Sequence, residues 1–179
     1  MKIKWKSISI KELAGIVSDR LKESGFDAIL VGGACVSIYT KNKYLSGDLD
    51  FVSSGSIKEV SPVLSKLGFE RKSSRHFEKK DCPFFIEFVP PPAALGSEPV
   101  KETNVLKTRL GDVILLTSTD SVKDRLTAYY FWNDPQALDQ ALLLAQSQEI
   151  SLREIKRWSE KEGHKEKYND FASKLKKKK

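Results

Sequence analysis

The stretch Val31-Gly32-Gly33-Ala34, followed after a short interval by Ser46-Gly47-Asp48-Leu49-Asp50-Phe51, decides how this chain is read. Upstream of the glycines, Phe26 to Val31 is a short apolar run of the kind that forms a buried strand. Gly32-Gly33 breaks it, and the apolar Ala34 to Tyr39 predicts a short helix. Without Cβ atoms the two glycines let the backbone approach a ligand and take positive φ. A helix that starts there aims free N–H groups and the positive end of its dipole at one spot, which favours phosphate. By itself a Gly-Gly pair is also an ordinary turn.

Asp48 to Val52 alternates acid and apolar, the period-2 pattern of a strand. Asp48 and Asp50 then share one face while Leu49 and Phe51 point into the core. Two carboxylates held side by side repel unless a cation lies between them. Oxygen ligands of this kind suit Mg²⁺, which takes one or two carboxylates plus substrate phosphates. The plainer alternative is an exposed strand with solvated acids. Glu87 is the third acid, set in Phe84-Phe85-Ile86-Glu87-Phe88-Val89. An acid inside a buried strand is costly unless paired or metal-bound; otherwise it lies on the one solvated face. Three acids on neighbouring strands beside a phosphate-binding turn would hold two ions about 3.5–4 Å apart.

Around this centre the rest of the chain reads as follows. Ser9-Ile10-Lys11-Glu12 is a capping box that opens a helix with apolar residues at Leu13, Ile16, Val17 and Leu21, closed by Gly25. Ile57 to Leu67 is a second amphipathic helix, closed by Gly68. Residues 69–89 carry two or three strands, the last stopped by Pro90-Pro91-Pro92, because proline cannot donate to a ladder. Asn104 to Leu110 and Val113 to Thr117 form a hairpin through Gly111-Asp112. From Thr119 the pattern is helical: one helix to the turn at Asn133-Asp134-Pro135, another to about Gln146, and a charged C-terminal helix from a second capping box, Ser151-Leu152-Arg153-Glu154. The expected architecture is α/β (α+β): a mixed β-sheet flanked by helices over residues 1–117, and a helical C-terminal half over 118–179.

The chain has 179 residues and a formal net charge of +7. Residues 1–150 hold 20 Lys/Arg against 19 Asp/Glu, and residues 151–179 hold 11 against 5, so the basicity belongs to the C-terminus. Its end, Lys176-Lys177-Lys178-Lys179, reads as a solvated, frayed tail or as an attraction for a phosphate backbone. No apolar run reaches the roughly 20 residues of a membrane span. The basic start, Met1-Lys2-Ile3-Lys4-Trp5-Lys6, is followed by no apolar stretch or cleavage site of a signal peptide. Two cysteines, Cys35 and Cys82, are too few for a disulfide framework or a zinc cluster. Cys35 is expected in the core and Cys82 in a loop. A cytoplasmic location with reduced thiols is expected, with no membrane partner.

The combination of glycine turn, short helix, acid-x-acid strand and later acid resembles the nucleotidyltransferase superfamily of the DNA polymerase β type. Gly32 and Gly33 match the turn, Asp48 and Asp50 the paired acids, and Glu87 the third acid. A closer likeness is to small prokaryotic members, including the abortive-infection toxin class. There a helical half follows, with a basic residue before Leu-x-Ala and spaced acids in the next helix. Arg125-Leu126-Thr127-Ala128, and Asp134 with Asp139, look like that pattern, and the likeness covers roughly residues 26–145. It implies a nucleotidyltransferase-like fold and a metal-dependent transfer of a nucleoside monophosphate from a nucleoside triphosphate (NTP) to a hydroxyl of RNA, protein or a small molecule. Asp48, Asp50 and Glu87 would be catalytic and bind Mg²⁺ or Mn²⁺. Gly32, Gly33, Arg125 and Lys123 would bind the nucleotide, with Arg125 as a clamp on the triphosphate. The residues also allow Arg125 a salt bridge to Asp124, Asp134 or Asp139. Gly33 is a departure, since many active members have Ser there, whose hydroxyl helps hold the triphosphate.

Other residues weigh less. Arg75 and His76 precede the Glu87 strand and read as substrate contacts or as a surface hairpin. His164 is expected to face solvent. Tyr129-Tyr130-Phe131-Trp132 reads as a helix-packing cluster or a base-stacking platform, and Trp158 as the anchor of the C-terminal helix. Two functions of other classes fit the same residues: a non-catalytic module of this fold, acting as an antitoxin or regulatory partner, and an RNA-binding protein that uses its basic tail.

Overall fold

The capping box at Ser9 forms as the sequence predicts: Ser9 Oγ accepts the Glu12 N–H while the Glu12 carboxylate takes the Ser9 N–H. It opens α1 (Ile10–Glu23), which buries Leu13, Val17 and Leu21. In this computed structural model, which describes residues 3–177, a 3₁₀ turn (Trp5–Ser7) precedes α1. The chain continues through β1 (Ala28–Val31), α2 (Gly32–Tyr39), β2 (Asp48–Ser53) and α3 (Ile57–Lys66). The short strands β3 (Glu70–Arg71) and β4 (His76–Glu78) lead to β5 (Phe85–Val89). A small hairpin, β6 (Ala94–Leu95) with β7 (Glu98–Pro99), and a longer one, β8 (Thr103–Thr108) with β9 (Gly111–Leu116), complete the strands. Four helices end the described chain: α4 (Ser118–Trp132), α5 (Pro135–Ser147), α6 (Leu152–Lys161) and α7 (Lys165–Lys177).

Seven strands make one mixed sheet in the order β3-β4-β5-β2-β1-β9-β8. β2 is its middle strand, antiparallel to β1 and parallel to β5. β1 and β9 are parallel, with Leu30 beside Leu115. Leu30, Leu49, Phe51, Ile86 and Leu115 are buried on these central strands. Burying side chains of this size stabilises the fold by about 1.5–3 kcal/mol each. α1 packs on β1 and β9, and α4 packs against α2, α5 and α6.

The C-terminal segment differs from expectation. Gly163, at φ +79, ends α6 after ten residues, and the charged region is two helices rather than one. The second capping box is half made. Ser151 Oγ accepts the Glu154 N–H, but the Glu154 carboxylate is taken by Lys123 and Arg157, and the Ser151 N–H donates to Thr119 Oγ1 instead. His164 is half-buried, its ring 4.8 Å from both Tyr130 and Phe131. The aromatic run is divided: Tyr130 is core, whereas Trp132 is 74% exposed. Trp158 anchors the segment as expected; it is fully buried, stacks on Tyr130 and donates its indole N–H to the Leu95 carbonyl at 2.9 Å. α7 runs to Lys177, with Lys174, Lys176 and Lys177 exposed; Lys178 and Lys179 of the basic tail, like Met1 and Lys2, lie outside the described residues.

Candidate active site

The elbow between β1 and α2 requires glycine at its first position. Gly32 has φ +73, and a Cβ there would collide with Asp50 Oδ2. The Asp-x-Asp strand behaves as its period predicts: Leu49 and Phe51 are buried, and Asp48 and Asp50 are half-buried on the other face. Asp50 faces Val31 on one side and Glu87 on the other. Because β2 and β5 are in register at Asp50 and Glu87, the third acid lies on the same face as the pair. One carboxylate oxygen from each of Asp48, Asp50 and Glu87 lies within 4.8 Å of the others.

Crowding shows in the protonation of Asp50. Burial above all, and then the neighbouring Asp48 carboxylate, push its carboxyl up to about 7; Arg125 opposes the rise. Like charges at such spacing cannot all ionise freely without a cation. Three hard oxygen donors in one half-buried cluster are the set that Mg²⁺ or Mn²⁺ takes. These residues therefore fit a divalent ion.

Two contacts at the elbow carry no signal in the sequence. Ser46 is buried and donates its hydroxyl to Asp48 Oδ1 at 2.7 Å. Asp124, on α4, accepts the Gly32 N–H at 3.1 Å and also receives the Arg125 guanidinium, at 2.7 Å from Nη2 and 3.1 Å from Nε. The Arg125 side chain also reaches Gln140 Oε1 at 3.3 Å. Of the salt-bridge partners open to Arg125 in the sequence, Asp124 is the one used. Asp134 instead caps α5, accepting the N–H groups of Gln136 and Ala137, and Asp139 is exposed.

Lys123 does not join this cluster. It is 5% exposed, and its ammonium pairs with Glu154 at 2.8 Å and Asp120 at 3.2 Å. All three line a cavity of about 430 Å³ that includes none of the three acids. The reason is helical geometry: at about 100° per residue, Lys123 and Arg125 project from different sides of α4. His76 lies opposite Glu87 across β4 and β5, with its ring 4.4 Å from Phe85 and Nε2 2.7 Å from Glu78 Oε1. Arg75 is half-buried and lines a second cavity with Ser53 to Ile57, at the far end of β2 from Asp48. Cys35 is core, its thiol pushed up to about 12 by burial, and Cys82 is half-buried.

No known protein-family model matches the sequence, and no curated protein matches it. Solved structures do match the fold. An antigenic nucleotidyltransferase-like protein from Paracoccidioides brasiliensis superposes with a TM-score of 0.58 at 13% identity, over 95% of this chain and 93% of that one. The antibiotic-resistance factor ANT(2'')-Ia in solution gives 0.53 at 14% identity, over 93% and 94%. The same factor in complex with adenylyl-2''-tobramycin gives 0.51 at 13% identity, over 92% and 94%. The chain has a nucleotidyltransferase-like fold, with an acidic triad beside a glycine elbow.

Proposed function

We propose that this protein transfers a nucleoside monophosphate from an NTP to a hydroxyl group, with Mg²⁺ or Mn²⁺ held by Asp48, Asp50 and Glu87. The observation that carries the reading is the convergence of three carboxylate oxygens within 4.8 Å beside the start of α2. The fold shared with an adenylylating resistance factor supports it. When bound, the metal would polarise the α-phosphate and make the acceptor hydroxyl more acidic.

In this reading Gly32 and Gly33 open the backbone N–H groups of α2 to the phosphates. Arg125 neutralises phosphate charge once it leaves Asp124. The acceptor oxygen gives its proton to solvent and bonds to the α-phosphorus as the bond to the β-phosphate breaks, and pyrophosphate departs. Catalysis rests on positioning and charge neutralisation rather than covalent chemistry by the protein. RNA, a protein or a small molecule remains the acceptor class, and a toxin or antitoxin role belongs with that choice. No helix among the described residues is long and apolar enough to cross a membrane, and the proposal keeps the cytoplasm as the site of action.

The Asp124 carboxylate on the Gly32 N–H favours one second reading: a non-catalytic module of the same fold whose phosphate cradle is filled by its own side chain. One experiment separates the two. Incubation with α-labelled NTPs, Mg²⁺ or Mn²⁺ and a pool of acceptors should transfer label, and Asp48→Ala should abolish transfer. Nucleotide binding with no transfer to any acceptor would favour the module.

A further inference from the structure

We infer that Ser46 is a positioning residue for the acidic centre, and that position 33 is glycine to leave Ser46 room. This rests on the reading of Asp48, Asp50 and Glu87 as a cation site. Ser46 is only 6% exposed, and both its hydrogen-bond donors are committed. Its N–H donates to Ser37 Oγ at 2.9 Å, and its hydroxyl donates to Asp48 Oδ1 at 2.7 Å. Ser37 is itself fully buried on α2. Two buried serines thus tie the helix that forms the elbow to the strand that carries the acids.

The chemical consequence concerns Asp48. A carboxylate has about four lone-pair positions. The Ser46 hydroxyl takes one of them, fixing the rotation of the group and leaving the others for a cation. Hydrogen bonds of this kind to a ligating carboxylate typically govern metal affinity by about 10–100-fold.

Gly33 completes the arrangement. Unlike Gly32 it has no positive φ, so its backbone would accept any residue. What excludes a side chain is space: a Cβ at position 33 would lie 2.8 Å from Ser46 Oγ and 3.4 Å from Tyr44 Cε1. The first distance is shorter than real Cβ atoms tolerate, so Ser46 would have to turn its hydroxyl away from Asp48.

The test is a titration with Mn²⁺ alone, free ion being counted by electron paramagnetic resonance, so that neither acceptor nor nucleotide is needed. Thermal melts without metal confirm that each variant is folded. Ser46→Ala should bind Mn²⁺ at least about tenfold more weakly than the wild type. Gly33→Ala, which alters no carboxylate, should show a comparable loss. Gly33→Ala/Ser46→Ala should be no worse than Ser46→Ala alone, because both changes break the same contact. Wild-type affinity in Ser46→Ala, or losses that multiply in the double variant, would overturn the assignment while leaving the cation site standing. If Asp48→Ala binds Mn²⁺ as tightly as the wild type, the cation site and the role of Ser46 both fall.

Discussion

Asp124 and Gly32, 92 residues apart in sequence, are joined by a hydrogen bond at the first residue of α2, with the Gly32 N–H donating to Asp124 Oδ2 at 3.1 Å. The same oxygen receives Arg125. A carboxylate therefore sits where a helix start favours an anion. A phosphate binding there has to displace it. Asp124→Ala should bind inorganic triphosphate about tenfold more tightly than the wild type in calorimetry, the size expected for freeing one hydrogen bond to a charged group. Weaker binding would make Asp124 a support for the site rather than a competitor.

Asp50 sets a stability that depends on pH. Its carboxyl is ordinary in the unfolded chain, near 4, and is pushed up to about 7 in the fold by burial and Asp48. Keeping it protonated in the fold costs nothing below about pH 4, costs more as pH rises to about 7, and above that the carboxylate ionises in the fold and the loss of stability is complete. Above that, Asp50→Asn should be more stable than the metal-free wild type by on the order of 2 kcal/mol, or about 5 °C in Tm. At pH 4 the two should melt together. Adding Mg²⁺ at pH 8 should raise the Tm of the wild type and leave that of the variant nearly unchanged.

Gly32→Ala places a methyl group against Asp50 Oδ2 and forces an L-residue to φ +73. The backbone alone should cost about 1–2 kcal/mol, measurable by urea unfolding. Loss of Mn²⁺ binding should accompany it, because the displaced atom belongs to a candidate ligand.

Lys123 should separate structure from chemistry. Its ammonium is buried between Asp120 and Glu154, and Glu154 is held down to about 2 by Arg157 first and then by Lys123. Lys123→Ala should cost about 2 kcal/mol by leaving the half-buried Asp120 without its cation, while Glu154 keeps Arg157. Nucleotide affinity, measured well below the melting temperature, should be unchanged. A tenfold loss of affinity in a fully folded variant would restore Lys123 to the nucleotide site.

Local signals carried the sequence reading a long way. The Ser9 capping box, the alternation over Asp48 to Val52 and the stop at Pro90 each fix an element through neighbours a few residues away, and each appears where expected. The acid pair was legible for the same reason: a period of two puts Asp48 and Asp50 on one face whatever surrounds them, whereas Glu87 joins them through the register of β5 on β2. The contacts of Ser46 with Asp48 and of Asp124 with Gly32 were not legible. Nothing in Leu45-Ser46-Gly47 marks a hydroxyl that will reach Asp48, and only the packing of α4 on α2 brings Asp124 to Gly32. Lys123 and Arg125 read as one basic patch, yet two positions apart on a helix they project from different sides of α4. The charged neighbourhood of His164 concealed two aromatic partners on α4, Tyr130 and Phe131.

β2 lies in the middle of the seven strands, with three on either side. Sheets open from their margins inward, and central strands give up their amides last. Warming or mild denaturant should loosen β3 and β8 well before the strand bearing Asp48 and Asp50. The candidate cation site would then be lodged on the strand that opens last, and damage at the outskirts could accumulate without dismantling it.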